Sequence, residues 1–293
     1  MHWLVLTVLL AVVVALLSLV LQDRMRALFA SRPPLIFAVP AVLTALFCGL
    51  AAQEGAFSIG LALLVLLYTG APVLIAFAQG AAALKRPSWP DFGIILLLWL
   101  PLEFSAGQQL IPRPAQGFLH SVAYAIAILL GLTIFLGFRA LPGMKYNLPG
   151  PRDLAYGVAG FVITAPVLIV LGRLLHFIPA FHPALHPSPA AISRTFAMIF
   201  VGTALPEEIL FRSLIQNWCM QRYGFTVRML LVAGFIFGCA HLDNGPQPLP
   251  NWRYMILATI AGVTYGKVFQ RSTSVFSSVT FHALVDATKH VFF

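Results

Sequence analysis

The chain has 293 residues, 60% of them hydrophobic and only 9% charged, with 18 Lys and Arg against 9 Asp and Glu for a net charge of +9. A mean hydropathy of +0.90 excludes a water-soluble globule, whose apolar content would be nearer half. The basic excess is scattered over loops and forms no basic face interleaved with aromatics, so nothing points to nucleic acid as a partner.

Runs long enough to cross a bilayer, about 17 to 25 residues, follow one another along the chain. They lie at Trp3–Leu21, Leu35–Gln53, Phe57–Gln79, Phe118–Leu141, Ala155–Arg173, Ala191–Gln221, Thr226–His241, Tyr254–Gln270 and Val275–Phe293. A weaker run, Phe92–Phe104, is short and contains Pro101 and Glu103. The first run lacks the positive flank and small-residue cleavage site of a signal peptide and reads as a retained span. The expected fold class is therefore all-α, a polytopic membrane helix bundle of about 8 to 10 transmembrane helices. Proline- and glycine-rich stretches such as SRPPL, KRPSWPD, NLPGPRD and NGPQPLPNW mark the helix ends.

If all ten segments cross, alternate loops hold Arg24, Arg26 and Arg32, then Lys85 and Arg86, Arg139, Lys145 and Arg152, Arg222 and Arg228, and Lys267 and Arg271. The other side has Arg113, Arg173, Arg194, Arg253 and Lys289. The positive-inside rule then puts both termini outside the cytoplasm. Cys48, Cys219 and Cys239 stand singly, without CxxC spacing, and read as small buried hydrophobes rather than a disulfide framework or thiolate metal site. The loop HFIPAFHPALHP carries His176, His182 and His186, but proline follows the last two. That prevents one helical face, and the loop reads as an ordered extramembrane segment rather than a metal site.

Intramembrane polarity divides the chain. Residues 1–189 have little of it beyond Glu103 and read as accessory transmembrane helices, whereas 190–293 concentrate it. The stretch ALPEEILFRSLIQNW places Glu207, Glu208 and Arg212 within six residues. Each unpaired charge at a helix centre costs about 2.5 to 3.5 kcal/mol on insertion scales, so these groups must pair or face water. Glu208 and Arg212 are i and i+4, the favoured order for an ion pair. Glu207 is turned by about 100° from Glu208, so one carboxylate can be structural and the other left for chemistry. Ionisable residues at this depth mark functional sites by default, with a purely structural charge pair as the alternative.

The next run ends in GFIFGCAHL, and His241 lies as far after the turn at Gly224 as Glu207 lies before it. In an antiparallel hairpin, equal distance from the turn means equal depth, so imidazole and carboxylate can meet. In the last run, FHALVDATKH, His282 and Asp286 are i and i+4 on one face. Lys289 and His290 lie closer to the helix end and read as interface residues.

These residues resemble a known family. EEILFR matches the EExxxR motif, Phe237–His241 matches FxxxH, and HALVD matches HxxxN/D of the CPBP intramembrane proteases. That family is also called Abi and includes the eukaryotic CAAX prenyl endopeptidases. The resemblance covers roughly Ala190–Phe293 and implies an intramembrane endopeptidase. In it Glu207 and His241 would activate a water, Glu208 and Arg212 would position the helix and its charge, and His282 with Asp286 would stabilise the oxyanion. Asp286 stands where the family often has Asn. An ionised Asp only accepts hydrogen bonds, so its expected role is to orient His282 as the donor.

Zinc is the rival mechanism, with Glu207, His241 and His282 as ligands. No HExxH is present, and the resemblance points to a metal-free, glutamate-activated water, so no cofactor is expected. The expected substrate is a membrane-anchored or membrane-spanning chain, cut near a C-terminus without a lipid requirement, in a bacterial cytoplasmic membrane. The alternatives from other classes are a transporter with a buried charge network, which lacks support from any duplicated half, and a non-catalytic immunity or scaffold protein.

Overall fold

The computed structural model describes residues 2–81, 86–179, 188–245 and 247–293. His182 and His186 of the proline-rich loop, and Lys85 of the charge pattern, lie outside them. The described residues are helical with no strand, as expected for an all-α membrane bundle. They fall into two compact units, Met1–Pro142 and Gly143–Phe293.

The first unit contains α1 (His2–Ala15), α2 (Leu19–Ser31), α3 (Ala38–Gln53), α4 (Ile59–Gln79), α5 (Trp89–Glu103) and α6 (Arg113–Leu132). The expected first span Trp3–Leu21 is not one straight rod. The chain turns by 83° between α1 and α2, where Ser18 caps α2 by accepting from Leu21 N and the buried Gln22 donates to Leu16 O at 2.8 Å. A hydroxyl that caps a new helix competes with continuation of the old one.

On length and apolarity alone, Pro33–Gln53, Ile59–Gln79, Arg113–Phe138 and Pro151–Leu174 qualify as spans among the described residues, with the bent α1–α2 pair as a fifth candidate. At 15 residues, α5 is shorter than a perpendicular crossing needs. It begins with a capping box, Ser88 and Asp91. Asp91 is fully buried and pairs with Arg139 at 3.0 Å, whose Nη1 also donates to Gly80 O at 2.6 Å. That ion pair ties the end of α4 to the start of α5. Glu103, next to the in-helix Pro101, accepts from the Trp99 indole at 2.7 Å.

The second unit holds α7 (Pro151–Leu174), a helical rod over residues 189–223, α11 (Val227–Cys239), α12 (Trp252–Arg271) and α13 (Phe276–Phe292). At 13 residues, α11 is shorter than the expected crossing Thr226–His241. Within the rod, α8 (Pro189–Ile199), α9 (Leu205–Glu208) and α10 (Asn217–Tyr223) are separated by π-helical segments at Phe200–Ala204 and Ile209–Gln216. Pro206 lacks an N–H and crowds the carbonyl four residues earlier, which gives a local cause for the first departure from α geometry. The sequence division groups α7 with the accessory spans, yet α7 packs on α13 and α12.

Glycines make these approaches close. A Cβ on Gly234 would lie 2.5 Å from Val263, and one on Gly262 would lie 2.9 Å from Phe237, so α11 and α12 touch through small residues. At Gly157 on α7 a Cβ would come within 2.5 Å of Ser277 O on α13. Gly157→Ala is therefore expected to destabilise the unit by about 1–3 kcal/mol, the usual cost of overpacking. Thermal melting of the purified protein in detergent measures it, and an unchanged midpoint would contradict the α7–α13 contact.

The start of α13 is pinned from outside its own helix. Asp153 caps α7 through Gly150 N at 2.9 Å and also accepts from Thr273 N at 2.7 Å. Lys145 Nζ donates to Phe269 O and Ser272 O, both at 2.7 Å, at the carbonyl-rich end of α12 where a cation is favoured. These contacts fix where α13 begins and hence where its His and Asp fall.

Candidate active site

Glu207 and Glu208 end α9, and Arg212 lies one turn on in the following π segment. Single π-type turns inside α-helices recur at functional sites because the wider turn re-aims side chains. Arg212 Nε donates to Glu208 Oε2 at 3.0 Å, with both side chains completely buried. The guanidinium lies over the Phe237 ring, 4.7 Å from its centroid, and 5.8 Å from that of Tyr265. Its Nη1 and Nη2 make no hydrogen bond among the described residues. The aromatic faces thus help to solvate the cation.

His282 is the hub. Its Nδ1 faces Glu208 Oε1 at 3.1 Å, and its Nε2 faces Asp286 Oδ2 at 3.4 Å and Glu207 Oε2 at 3.9 Å. Carboxylate oxygens only accept, so the ring is placed to donate on both sides. Tyr265 stacks on it, with centroids 4.8 Å apart and planes 21° from parallel. Phe237 meets its ring edge-on at 5.8 Å. The carboxylate holding Nδ1 is Glu208, while Asp286, expected from sequence to orient the ring, sits on the Nε2 side.

His241 lies two residues beyond α11 and is 7% exposed. Its Nδ1 is 2.8 Å from Phe237 O. With Nδ1–H donating to that carbonyl, Nε2 keeps its lone pair and can accept from a water. Asn251 fixes the segment that follows, its N donating to Leu242 O at 2.6 Å and its side chain capping α12 at Tyr254 N. Glu207 lies on α9 and His241 just beyond the end of α11. They belong to one cluster through His282 and Asp286, since His241, His282 and Asp286 line a common cavity.

That cavity measures about 70 Å³, room for more than one water at roughly 10–15 Å³ each. Ala165, Leu168, Leu257, Ala258 and Ala261 give it apolar walls, and Tyr254, Tyr265 and Lys289 join the polar groups. The sequence reading missed these three. Tyr254 and Tyr265 are eleven residues apart, three turns on one face of α12, and Lys289 is seven from His282, two turns on one face of α13. For Lys289, helical spacing from His282 was the available signal; α12 carries no motif residue from which to count to the tyrosines.

Among the described residues no group of three or more His, Cys, Asp and Glu is arranged to hold a metal ion. Both His282 nitrogens are turned toward carboxylates, whereas His241, its Nδ1 on a backbone carbonyl, keeps Nε2 for a ligand. Cys48, Cys219 and Cys239 are all free thiols, the first and last partly exposed.

Residues 189–288 match the family model described as Type II CAAX prenyl endopeptidase Rce1-like. No curated protein and no solved structure matches the chain.

Proposed function

We propose that this chain, whose residues 189–288 belong to the Rce1-like type II CAAX prenyl endopeptidase group, the CPBP family, is an intramembrane endopeptidase that uses a glutamate-activated water without a metal. The family indicates a peptide hydrolase acting on membrane-associated chains. The observation that carries the mechanism is the convergence of Glu207, Glu208 and Asp286 on one imidazole, 3.1 to 3.9 Å away, beside a cavity that His241 also lines.

Glu207, 30% exposed where Glu208 is fully buried, is the carboxylate available to take a proton from water. His241 Nε2 holds that water through its lone pair. Attack on the scissile carbonyl places negative charge on its oxygen, and the Nε2–H of His282 is the donor that meets it. Glu208 fixes that ring through Nδ1, and Arg212 balances Glu208. A donor held in place before the reaction does not have to reorganise during it, which is why such groups are worth more here than in water. The proton on Glu207 passes to the leaving amine.

The substrate class proposed is a membrane-anchored or membrane-spanning chain cut near its C-terminus without a lipid requirement, and the proposed location is a bacterial cytoplasmic membrane. The test uses full-length protein in liposomes with an anchored peptide. Hydrolysis is expected to continue unchanged after treatment with a zinc chelator, and to fall by about 10²–10⁴-fold in His241→Ala. Loss of activity on chelation, restored by added zinc, would overturn the metal-free route. Undiminished activity in His241→Ala would remove that residue from the mechanism.

A further inference from the structure

Lys289 is a cation built into the wall of the cavity. Its Nζ lies 4.6 Å from the Phe177 centroid and 4.8 Å from that of Tyr254, and those two rings are themselves 4.8 Å apart. Tyr254 in turn meets His241 edge-on at 4.5 Å. One aromatic wall thus runs from the ammonium to the proposed water-holding histidine. The rings attract the charge but do not use up its three donors. Among the described residues Lys289 Nζ makes no hydrogen bond or ion pair, and Asp286, one turn away, is turned to His282 at 3.4 Å.

We infer that Lys289 is the anion anchor of the substrate cavity, binding a carboxylate of the bound peptide while the apolar walls hold its neighbouring side chains. The inference rests on the proteolytic reading for its substrate class. His282, Asp286 and Lys289 are i, i+4 and i+7 on α13, so the anchor and the reacting groups share one face, about 10 Å apart along the axis. A carboxylate at the anchor therefore sets how far the chain advances past His282. Two sources carry that chemistry, a C-terminal carboxylate or an acidic side chain.

Binding separates this from catalysis. The full-length Glu207→Gln protein in nanodiscs is titrated with a fluorescein-labelled apolar pentapeptide in three forms: free acid, carboxamide, and carboxamide with one internal Asp. The free acid is expected to bind about tenfold more tightly than the carboxamide, a difference of ~1.4 kcal/mol. Lys289→Met should abolish that preference and Lys289→Arg should keep it. If the Asp form regains the affinity in a Lys289-dependent way, the anchor also reads acidic side chains. Equal affinity of all forms, no measurable binding of any, or a preference that survives Lys289→Met overturns the assignment. Absence of hydrolysis by the unmutated protein, with the charge preference intact, would instead overturn the proteolytic reading and leave the anion site.

Discussion

Glu207→Gln is expected to reduce hydrolysis of a membrane-anchored substrate by about 10²–10⁴-fold, the usual contribution of a positioned general base, with little change in melting temperature. The amide matches the carboxylate in size and keeps an acceptor oxygen, but it cannot take a proton. Structural cost is small because the side chain is 30% exposed, unlike its neighbour Glu208. Steady-state rates and melting curves on the same preparations separate the two effects. A variant that retains its rate would return the carboxylate cluster to a packing role, and a variant that fails to accumulate would place Glu207 in the stability network instead.

Arg212→Leu is expected to act on stability first, by about 3–5 kcal/mol, because removing one partner of a buried pair leaves the other charge uncompensated. Glu208 and Arg212 are both fully buried, and the guanidinium contributes its contact with Phe237 as well. The double variant Glu208→Gln/Arg212→Leu removes both charges together. It should recover much of the melting temperature, since replacing both partners of a buried pair is far less costly than breaking it. It should not recover activity, because His282 loses the carboxylate that fixes Nδ1. Equal destabilisation in single and double variants would show that packing, and not charge pairing, dominates at Arg212.

The parts of the site that sequence made visible are those that helical spacing and charge cost control. Glu208–Arg212 and His282–Asp286 are i, i+4 pairs, and both are within 3.4 Å in the structure. Contacts made between helices were not visible. Equal depth brings Glu207 toward His241, but it gives no sign of His282, 3.9 Å from Glu207 and on a helix more than seventy residues later. A uniform 100° per residue also cannot register the π segments at Phe200–Ala204 and Ile209–Gln216, which widen the turn on both sides of the glutamates.

Nearness to the helix end makes Lys289 read as an interface residue, although its spacing from His282 puts it on the site's face. At the level of the fold, helix content and the long apolar helices followed from composition. The 83° turn before Leu19 did not, because Ser18 and Gln22 look unremarkable within an apolar run. The membership of α7 in the second unit is signalled by Gly157 and Gly160, whose missing Cβ atoms leave room for Ser277 O, Val268 and Phe281.

The most direct measurement is product analysis by mass spectrometry after purified full-length protein in liposomes has acted on a library of membrane-anchored peptides, with the Glu207→Gln protein in parallel. New peptide termini that appear with the unmutated protein and are absent or at least about a hundredfold slower with Glu207→Gln are the predicted result. New termini formed at equal rates by both proteins, or by neither although both are folded, would contradict the assignment of this cluster as a proteolytic site.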